Sequence, residues 1–170
     1  TDTAFVELIN HRLNNPIGLE NYAVDGRVDN LFNDPHSAVY MSTVVNLAKP
    51  ATSLKVLVSA YRDESADFRV LYALKKPDDG DDTKFELFPG YKNILNTSED
   101  EIGRLVRDPS KNDGRPDVFV PPSLDNEFLE YQFTAENLPE FTGYIIKIVM
   151  SGTNQARPPR FKDLRTIAVR

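Results

Sequence analysis

Apolar and polar residues alternate with a period of two along several segments of this chain, a pattern typical of strands that bury one face. Residues 37–48, SAVYMSTVVNLA, are predicted to form the first such strand. Alternation places five of its residues on one face: Val39, Met41, Thr43, Val45 and Leu47. This strand is therefore predicted to present a mostly apolar face to a core.

Two further strands are predicted over residues 52–62, TSLKVLVSAYR, and residues 68–76, FRVLYALKK. The first shares one face among Leu54, Val56, Val58 and Ala60, and the second among Phe68, Val70, Tyr72 and Leu74. Only the short polar linker 63–67 separates the two segments. We therefore predict that they pair as an antiparallel hairpin.

The alternation resumes towards the C-terminal end of the chain. Leu129, Tyr131 and Phe133 face one way in one predicted strand, and two more strands are predicted over about residues 143–151 and 163–169. In the strand around residues 143–151, one face carries Tyr144, Ile146, Ile148 and Met150, and the other carries Lys147 and Ser151. These strands supply a second set of apolar faces for the same core.

One short helix is predicted between the early and the late strands. Ser98 and Glu101 have the spacing of a capping box, and Pro109 ends the helical pattern. Residues 1–36 are predicted to form an N-terminal arm of uncertain structure, in which TAFVELINHRL could be a short amphipathic helix and residues 14–35 are rich in turn residues. Several strands with few helices and long loops predict an all-β fold, an antiparallel, jelly-roll-like β-sandwich over residues 37–170.

Composition narrows the classes of function. The chain has 170 residues, the size of one domain, and 40% of them are hydrophobic. Its net charge of -6 argues against nucleic acid as a partner, because phosphate-backbone binders need clustered Lys and Arg. It has no Cys, and its apolar runs are shorter than the roughly 20 residues of a membrane helix, so we expect neither disulfides nor membrane insertion. Because the chain begins at Thr1 without Met, we expect a processed product or a piece of a longer protein.

Candidate catalytic and metal-binding residues are sparse. The two histidines, His11 and His36, accompany no Gly-x-Ser-x-Gly motif, so we expect no catalytic triad and no enzyme activity. The aspartates in residues 78–82 do not match a calcium loop, and a solvated hairpin loop explains them better. Glu127 and Glu130 would point to opposite faces of a strand, which makes them a poor catalytic pair. We expect no cofactor and no bound metal.

The local basic excess near the C-terminus is the first candidate for binding a partner. It consists of Arg157, Arg160, Lys162 and Arg165. These side chains could meet an acidic protein surface or a phosphate, and in an acidic chain we favour a protein interface or internal ion pairs. Loop aromatic residues are the second candidate: Tyr91 and Phe119 could bind a glycan, or, like Phe141, close the ends of the core.

Several blocks of the chain resemble one family. They are LAKPATSLKVLVSAYR, RVLYALKK, ELFPGY and FLEYQFTAENLPEFTGYIIKIVMSGTNQARPPRFKDLRTIAV, which together span roughly residues 37–169. They resemble virion structural proteins of contractile-tailed phages, especially tail and baseplate components of cyanophages. The resemblance is densest over residues 128–169, and residues 1–36 lie outside it.

The resemblance implies a non-catalytic structural and interaction domain of a phage tail or baseplate protein. Its partners would then be other tail or baseplate proteins in a larger assembly. The protein would be made in the host cytoplasm and located in the virion tail. The alternative is a carbohydrate-binding β-sandwich of a tail fibre that recognises a host surface glycan. The resemblance implies no catalytic or cofactor-binding residue.

Overall fold

The computed structural model describes residues 38–76, 84–89, 92–93, 120, 123, 127–152, 154 and 156–170, and within these residues the chain is all-β. The predicted arm and the predicted helix at residues 98–109 lie outside the described residues. Nine strands occur in the described part: β1 (Ala38–Met41), β2 (Val45–Ala51), β3 (Ser53–Tyr61), β4 (Ala66–Lys75), β5 (Glu86–Leu87), β6 (Lys92–Asn93), β7 (Leu129–Ala135), β8 (Phe141–Gly152) and β9 (Arg160–Val169).

The strands form two sheets that pack face to face. Sheet A has the order β1-β8-β4-β5, and β2 pairs with β8 as well. Sheet B has the order β6-β7-β3-β9. Every pairing is antiparallel. The predicted all-β antiparallel sandwich is confirmed.

The core lies between the two inner faces, the faces that each sheet turns to the other. Sheet B contributes the predicted row on β3, each residue of which is fully buried, with Tyr131 and Phe133 of β7. Sheet A contributes Phe68 of β4, whose ring packs edge-on against Tyr131 at 5.6 Å between centroids. The residues predicted to share faces in β3, β4, β7 and β8 do so, because regular alternation brings apolar side chains to one side of each strand.

The predicted hairpin between β3 and β4 is wrong. β3 pairs with β7 on one edge and with β9 on the other, so it has no edge left for β4. Asp63 turns the chain from one sheet to the other: its carbonyl oxygen accepts from Ala66 N at 3.0 Å, and its Oδ1 accepts from Ser65 N at 3.1 Å. The short linker therefore forms a corner between the sheets, and the two apolar faces meet across the core.

The predicted first strand is two strands, β1 and β2, because one extra residue interrupts the pairing with β8. Met41 lies opposite Lys147 and Val45 opposite Tyr144, so three residues of one strand face two of the other. The Ser42 hydroxyl accepts a hydrogen bond from Ile146 N at 3.0 Å at this bulge. The extra residue reverses the alternation.

The bulge corrects the predicted face of the first segment. Val39 lies opposite Val149 on the outer face of sheet A, the face turned away from sheet B. Val45 and Leu47 instead pack against the inner core. The five residues predicted on one face are therefore divided between two.

The outer face of sheet A carries a second apolar cluster. It consists of Leu71, Ala73, Phe85, Ile145 and Val149, with Val44 and Leu87 packed against it. Lys147 lies on the same face, fully buried, with its Nζ 5.0 Å from the centre of the Phe85 ring. The middle of sheet A, at β4 and β8, is therefore buried on both faces.

The last two strands extend beyond their predicted bounds. β8 begins two residues before the predicted strand, and β9 begins at Arg160 rather than near Asp163. Pro159 is buried directly before β9. Since proline provides no backbone donor, the ladder with β3 begins at the next residue, where Arg160 pairs with Tyr61.

Candidate protein-binding surface

A second bulge, in β9, arranges the predicted basic residues. Leu57 of β3 lies opposite Arg165, but Ser59 lies opposite Lys162, so β9 contains one extra residue in this interval. Asp163 lies there with a φ of 53°, in the left-handed region that Asp adopts more readily than most residues. The bulge therefore changes which β9 side chains share a face.

The bulge brings three cations to the outer face of sheet B. In a regular strand, Arg160 and Lys162 would share one face and Arg165 would lie on the other. With one residue inserted, the inner face holds Phe161, Leu164, Thr166 and Ala168, and the outer face holds Arg160, Lys162 and Arg165. We call these three residues, with Arg157, the basic corner.

Two cations of the basic corner lie over aromatic rings. The guanidinium carbon of Arg160 is 4.5 Å from the centre of the Tyr61 ring and 6.0 Å from that of Phe128. Lys162 Nζ is 4.5 Å from the centre of the Phe128 ring. Each cation faces the negative face of a ring, which holds it in place without neutralising its charge.

The other two cations form ion pairs. Arg165 pairs with Glu130 of β7, and Arg157 Nη1 donates to Asp63 Oδ2 at 3.0 Å. Both arginines are more than half exposed. These two residues thus form internal ion pairs, one of the two roles that the sequence favours, whereas Arg160 and Lys162 form no ion pair with the described residues.

Asp63 connects the basic corner with the turn between the sheets. The Ser65 backbone amide is the main cause of its lowered pKa, and the Ser65 hydroxyl, at 2.8 Å from Oδ1, is the next. Arg157 adds to the effect, and the pKa of Asp63 falls to about 2. Since these groups all stabilise the carboxylate form, Asp63 is charged wherever the protein is folded near neutral pH.

A buried charge cluster lies beside the same turn. Asp67 Oδ1 accepts from Arg69 Nη1 at 2.6 Å and lies 3.4 Å from Arg62 Nε. Burial lowers the pKa of Arg62, and Asp67 opposes that effect. Because both guanidinium groups are almost fully buried, the cluster is not accessible to a partner.

An apolar cavity of about 300 Å³ opens between β1 and β9. Its lining is Tyr40, Ile148, Phe161, Lys162, Asp163 and Leu164. We call it the seam cavity, because it lies where the edge strand of sheet A meets the edge strand of sheet B. A side chain as large as Phe or Trp would fit a volume of this size.

Among the described residues, exposed large apolar side chains are confined to the same two edge strands. In the described residues they are Val39, Tyr40 and Met41 of β1 and Ile167 and Val169 of β9, each between 39% and 51% exposed. The sequence prediction missed this feature because it placed Val39 and Met41 towards the core. Alternation alone does not include the bulge at Ser42, so it does not indicate that Val39 and Met41 are exposed.

A smaller cavity of about 210 Å³ lies elsewhere on the sandwich, lined by Tyr72, Leu74, Lys76, Lys84, Glu86, Leu138 and Pro139. The Tyr72 hydroxyl donates to Glu86 Oε2 at 3.1 Å there. Burial, followed by the charge of Glu86, raises the pKa of Tyr72. The tyrosine therefore stays protonated and holds β4 to β5.

Several predicted candidates lie outside the described residues: Tyr91, Phe119, His11, His36 and the acidic segment 78–82. Of the remaining candidates, Phe141 is fully buried in the core, as expected of a residue that closes the core. Glu127 lies before β7, and Glu130 is the ion-pair partner of Arg165. The two glutamates are thus not paired with each other.

Sequence reasoning also missed Tyr61 and Phe128, whose rings contact Arg160 and Lys162. One signal for the β9 bulge is present in the sequence: the inner-face residues advance by three positions from Phe161 to Leu164 and then by two. Such a break in a period of two marks an inserted residue.

The part of the chain that the structure describes contains no helix of the length and hydrophobicity of a membrane span. Over the same residues, no three His, Cys, Asp or Glu side chains are grouped to hold a metal ion. Comparison of the chain with protein-family models, with curated proteins and with solved structures finds no significant match.

Proposed function

We propose that this chain is a non-catalytic structural and interaction module of a phage tail or baseplate protein. It binds other tail or baseplate proteins and is located in the virion tail after synthesis in the host cytoplasm. The single observation that carries the proposal is the side of the sandwich where β1 and β9 meet. There residues of β1 and β9 line the seam cavity, and each of these two edge strands also carries exposed apolar side chains.

Edge strands of proteins that act alone are usually protected, since an exposed apolar edge pairs with other chains. β1 has one hydrogen-bonded neighbour among the described strands, β8, and three consecutive exposed apolar residues. A surface of this kind is suited to burial in an assembly. The resemblance of residues 37–169 to virion structural proteins supports a phage tail as that assembly.

Immunogold electron microscopy of particles of the phage that encodes the chain tests the proposal, with antibodies raised against the purified chain. Label on the tail or the baseplate is the expected result. Purified particles that carry no label, or label only on the head, would refute it. Turnover of a polysaccharide by the purified chain would refute the non-catalytic assignment.

The contribution of the edge is tested by complementation with variant chains. Met41→Lys places a charge on the exposed edge of β1, and we expect its incorporation into particles to fall at least tenfold. Thr43→Lys is the matched control, because Thr43 is also exposed but belongs to neither β1 nor β2. Equal incorporation of both variants would contradict a role for the edge.

The carbohydrate-binding alternative depends on Tyr91 and Phe119. Among the described aromatic residues, Tyr61 is almost fully buried beneath Arg160, so it offers no ring face to a sugar. Saturable binding of a host glycan, lost in Tyr91→Ala or Phe119→Ala, would support the alternative in place of the structural module.

A further inference from the structure

We infer that the basic corner binds an acidic polypeptide segment, an extended stretch of a neighbouring protein in which Asp or Glu recurs at alternate positions. The inference rests on the proposed function, because it names the chemistry of one partner of the interaction module. Its basis is Arg160 and Lys162 on the outer face of sheet B, next to the seam cavity that Lys162 also lines.

The positive charges of the basic corner are only partly paired with carboxylates of the described residues. The chain has a net charge of -6, yet four cations lie between positions 157 and 165. Of these, Arg157 and Arg165 are paired with carboxylates of the chain. Arg160 and Lys162 contact aromatic rings, and no carboxylate of the described residues forms an ion pair with either. Two cations on this face thus retain their full charge for a partner.

Arg160 and Lys162 are already held in position before an anion binds. The rings of Tyr61 and Phe128 support the cations of Arg160 and Lys162 from below, and Tyr61 is 4% exposed. A cation that is already held in position loses less side-chain entropy when it binds an anion. This arrangement therefore favours recognition of a carboxylate over a freely moving surface lysine or arginine.

The spacing of Arg160 and Lys162 matches that of alternate side chains in an extended peptide. Arg160 and Lys162 are two residues apart on one strand, a rise of roughly 6.8 Å. Carboxylates at alternate positions of an extended peptide have the same spacing. The bulge at Asp163 interrupts the edge of β9, so it disfavours addition of a strand through the backbone. Recognition by side chains on the outer face is consistent with both features.

The surrounding acids argue against a nucleic acid or a polyphosphate. Asp63, Glu130 and Asp163 lie in or beside the basic corner. They would repel a densely charged backbone, whose binding requires many uncompensated cations. A peptide with separated carboxylates places its charges opposite Arg160 and Lys162 and fewer charges near these acids.

Fluorescence anisotropy with the full chain at low ionic strength tests the inference. The probe is a labelled peptide in which Glu and Ser alternate, and the control probe has Gln in place of Glu. We expect the Glu probe alone to bind, and the double variant Arg160→Gln, Lys162→Gln to weaken binding at least tenfold. Arg170→Gln is the matched control, since Arg170 is an exposed arginine directly after β9 that pairs with Glu140, and it should leave binding unchanged.

A second double variant distinguishes an effect of lost charge from an effect of a disturbed fold. Arg160→Lys with Lys162→Arg retains both charges and should bind the Glu probe within about threefold of the original chain. The inference is overturned if the original chain does not bind the Glu probe, or if Arg170→Gln weakens binding as much as the double variant does. Preferential binding of tripolyphosphate or of single-stranded DNA over the Glu probe would also overturn it.

The two proposals fail separately. A chain found in the tail that ignores the Glu probe would retain the proposed function without this site. A chain absent from particles that binds the Glu probe specifically would retain the site without the proposed assembly.

Discussion

The outer faces of the two sheets differ in what they bury. On sheet A, Leu71 and Lys147 are fully buried and Val149 almost so. On sheet B, the outward residues of β3, such as Lys55 and Leu57, are only half-buried, and cations of β9 are exposed beside them. The middle of sheet A is therefore buried on both faces, while the outer face of sheet B is partly exposed.

This difference is visible in the composition of the strands. β8 is buried at nearly every position, and its middle section, YIIKIVM, is an almost continuous apolar run. From Ser53 to Ala60, β3 alternates strictly between half-buried and buried positions. A strand buried on both faces needs apolar residues throughout, whereas a strand at the surface of a sandwich needs them at every second position. Substitutions on the two outer faces should therefore differ in their effect on the free energy of unfolding.

The largest expected difference is between two leucines on these faces. Leu71→Ala removes a fully buried side chain from the outer face of sheet A and should lower the free energy of unfolding by about 3 kcal/mol. Leu57→Ala, on the outer face of sheet B, should cost less than about 1 kcal/mol. Urea denaturation measures both values. Equal losses would mean that the two outer faces are not different in burial.

Two lysines give a smaller and more specific difference. Lys147→Ala removes a fully buried aliphatic stem and the contact of the ammonium group with Phe85, so we expect a loss of about 2 kcal/mol. Lys55→Ala, on the outer face of sheet B, should change stability by less than about 0.5 kcal/mol. Thermal unfolding at one pH compares them. A Lys147→Ala chain as stable as Lys55→Ala would contradict the burial of the outer face of sheet A.

The sequence predicts these faces well where alternation is uninterrupted. The rows on β3, β7 and β8 need only the local rule that side chains of a strand point to opposite sides. The alternation rule fails at Ser42 and Asp163, because one inserted residue moves every following side chain to the opposite face but hardly changes the composition of the strand. It also fails for the connection of β3 to β4, since the choice between a hairpin and a corner depends on the strands β7 and β9, which lie far along the chain.

The basic corner shows the same limit. Its cations are identified from their density in the sequence, but their partners are remote: Asp63 is 94 residues from Arg157, and Glu130 is 35 residues from Arg165. Nothing in the local pattern indicates which carboxylate or ring a cation will meet. The fold, and especially the bulge at Asp163, determines which cations are paired and which remain available.

The turn that joins the sheets provides a test through pH. The pKa of Asp63 is lowered to about 2 in the folded chain, below its ordinary value near 4, so its charged form stabilises the fold above the higher of these values. As pH falls from about 5 to 2, this contribution is lost. Asp63→Asn should therefore reduce stability by roughly 1 kcal/mol at pH 7, a value kept small because the carboxylate is close to solvent.

The stability difference between the original chain and Asp63→Asn, followed by urea denaturation from pH 7 to pH 2, should shrink towards the acid end. Glu140→Gln is the control, because Glu140 forms only an exposed pair with Arg170 at 3.4 Å. A difference for Asp63→Asn that is constant over this range would show that the turn depends on shape and not on charge.

The smallest expected effect concerns the open face of sheet B itself. Arg165 and Glu130 join β9 to β7 across β3, but Arg165 is 60% exposed, so solvent screens the pair. A double-mutant cycle with Arg165→Gln and Glu130→Gln should give a coupling energy below about 0.5 kcal/mol. A coupling above about 1.5 kcal/mol would mean that solvent hardly screens the pair and that charges hold this face together. A small coupling would leave Arg165 free to exchange Glu130 for a carboxylate of a partner at little cost in stability, as an interaction surface requires.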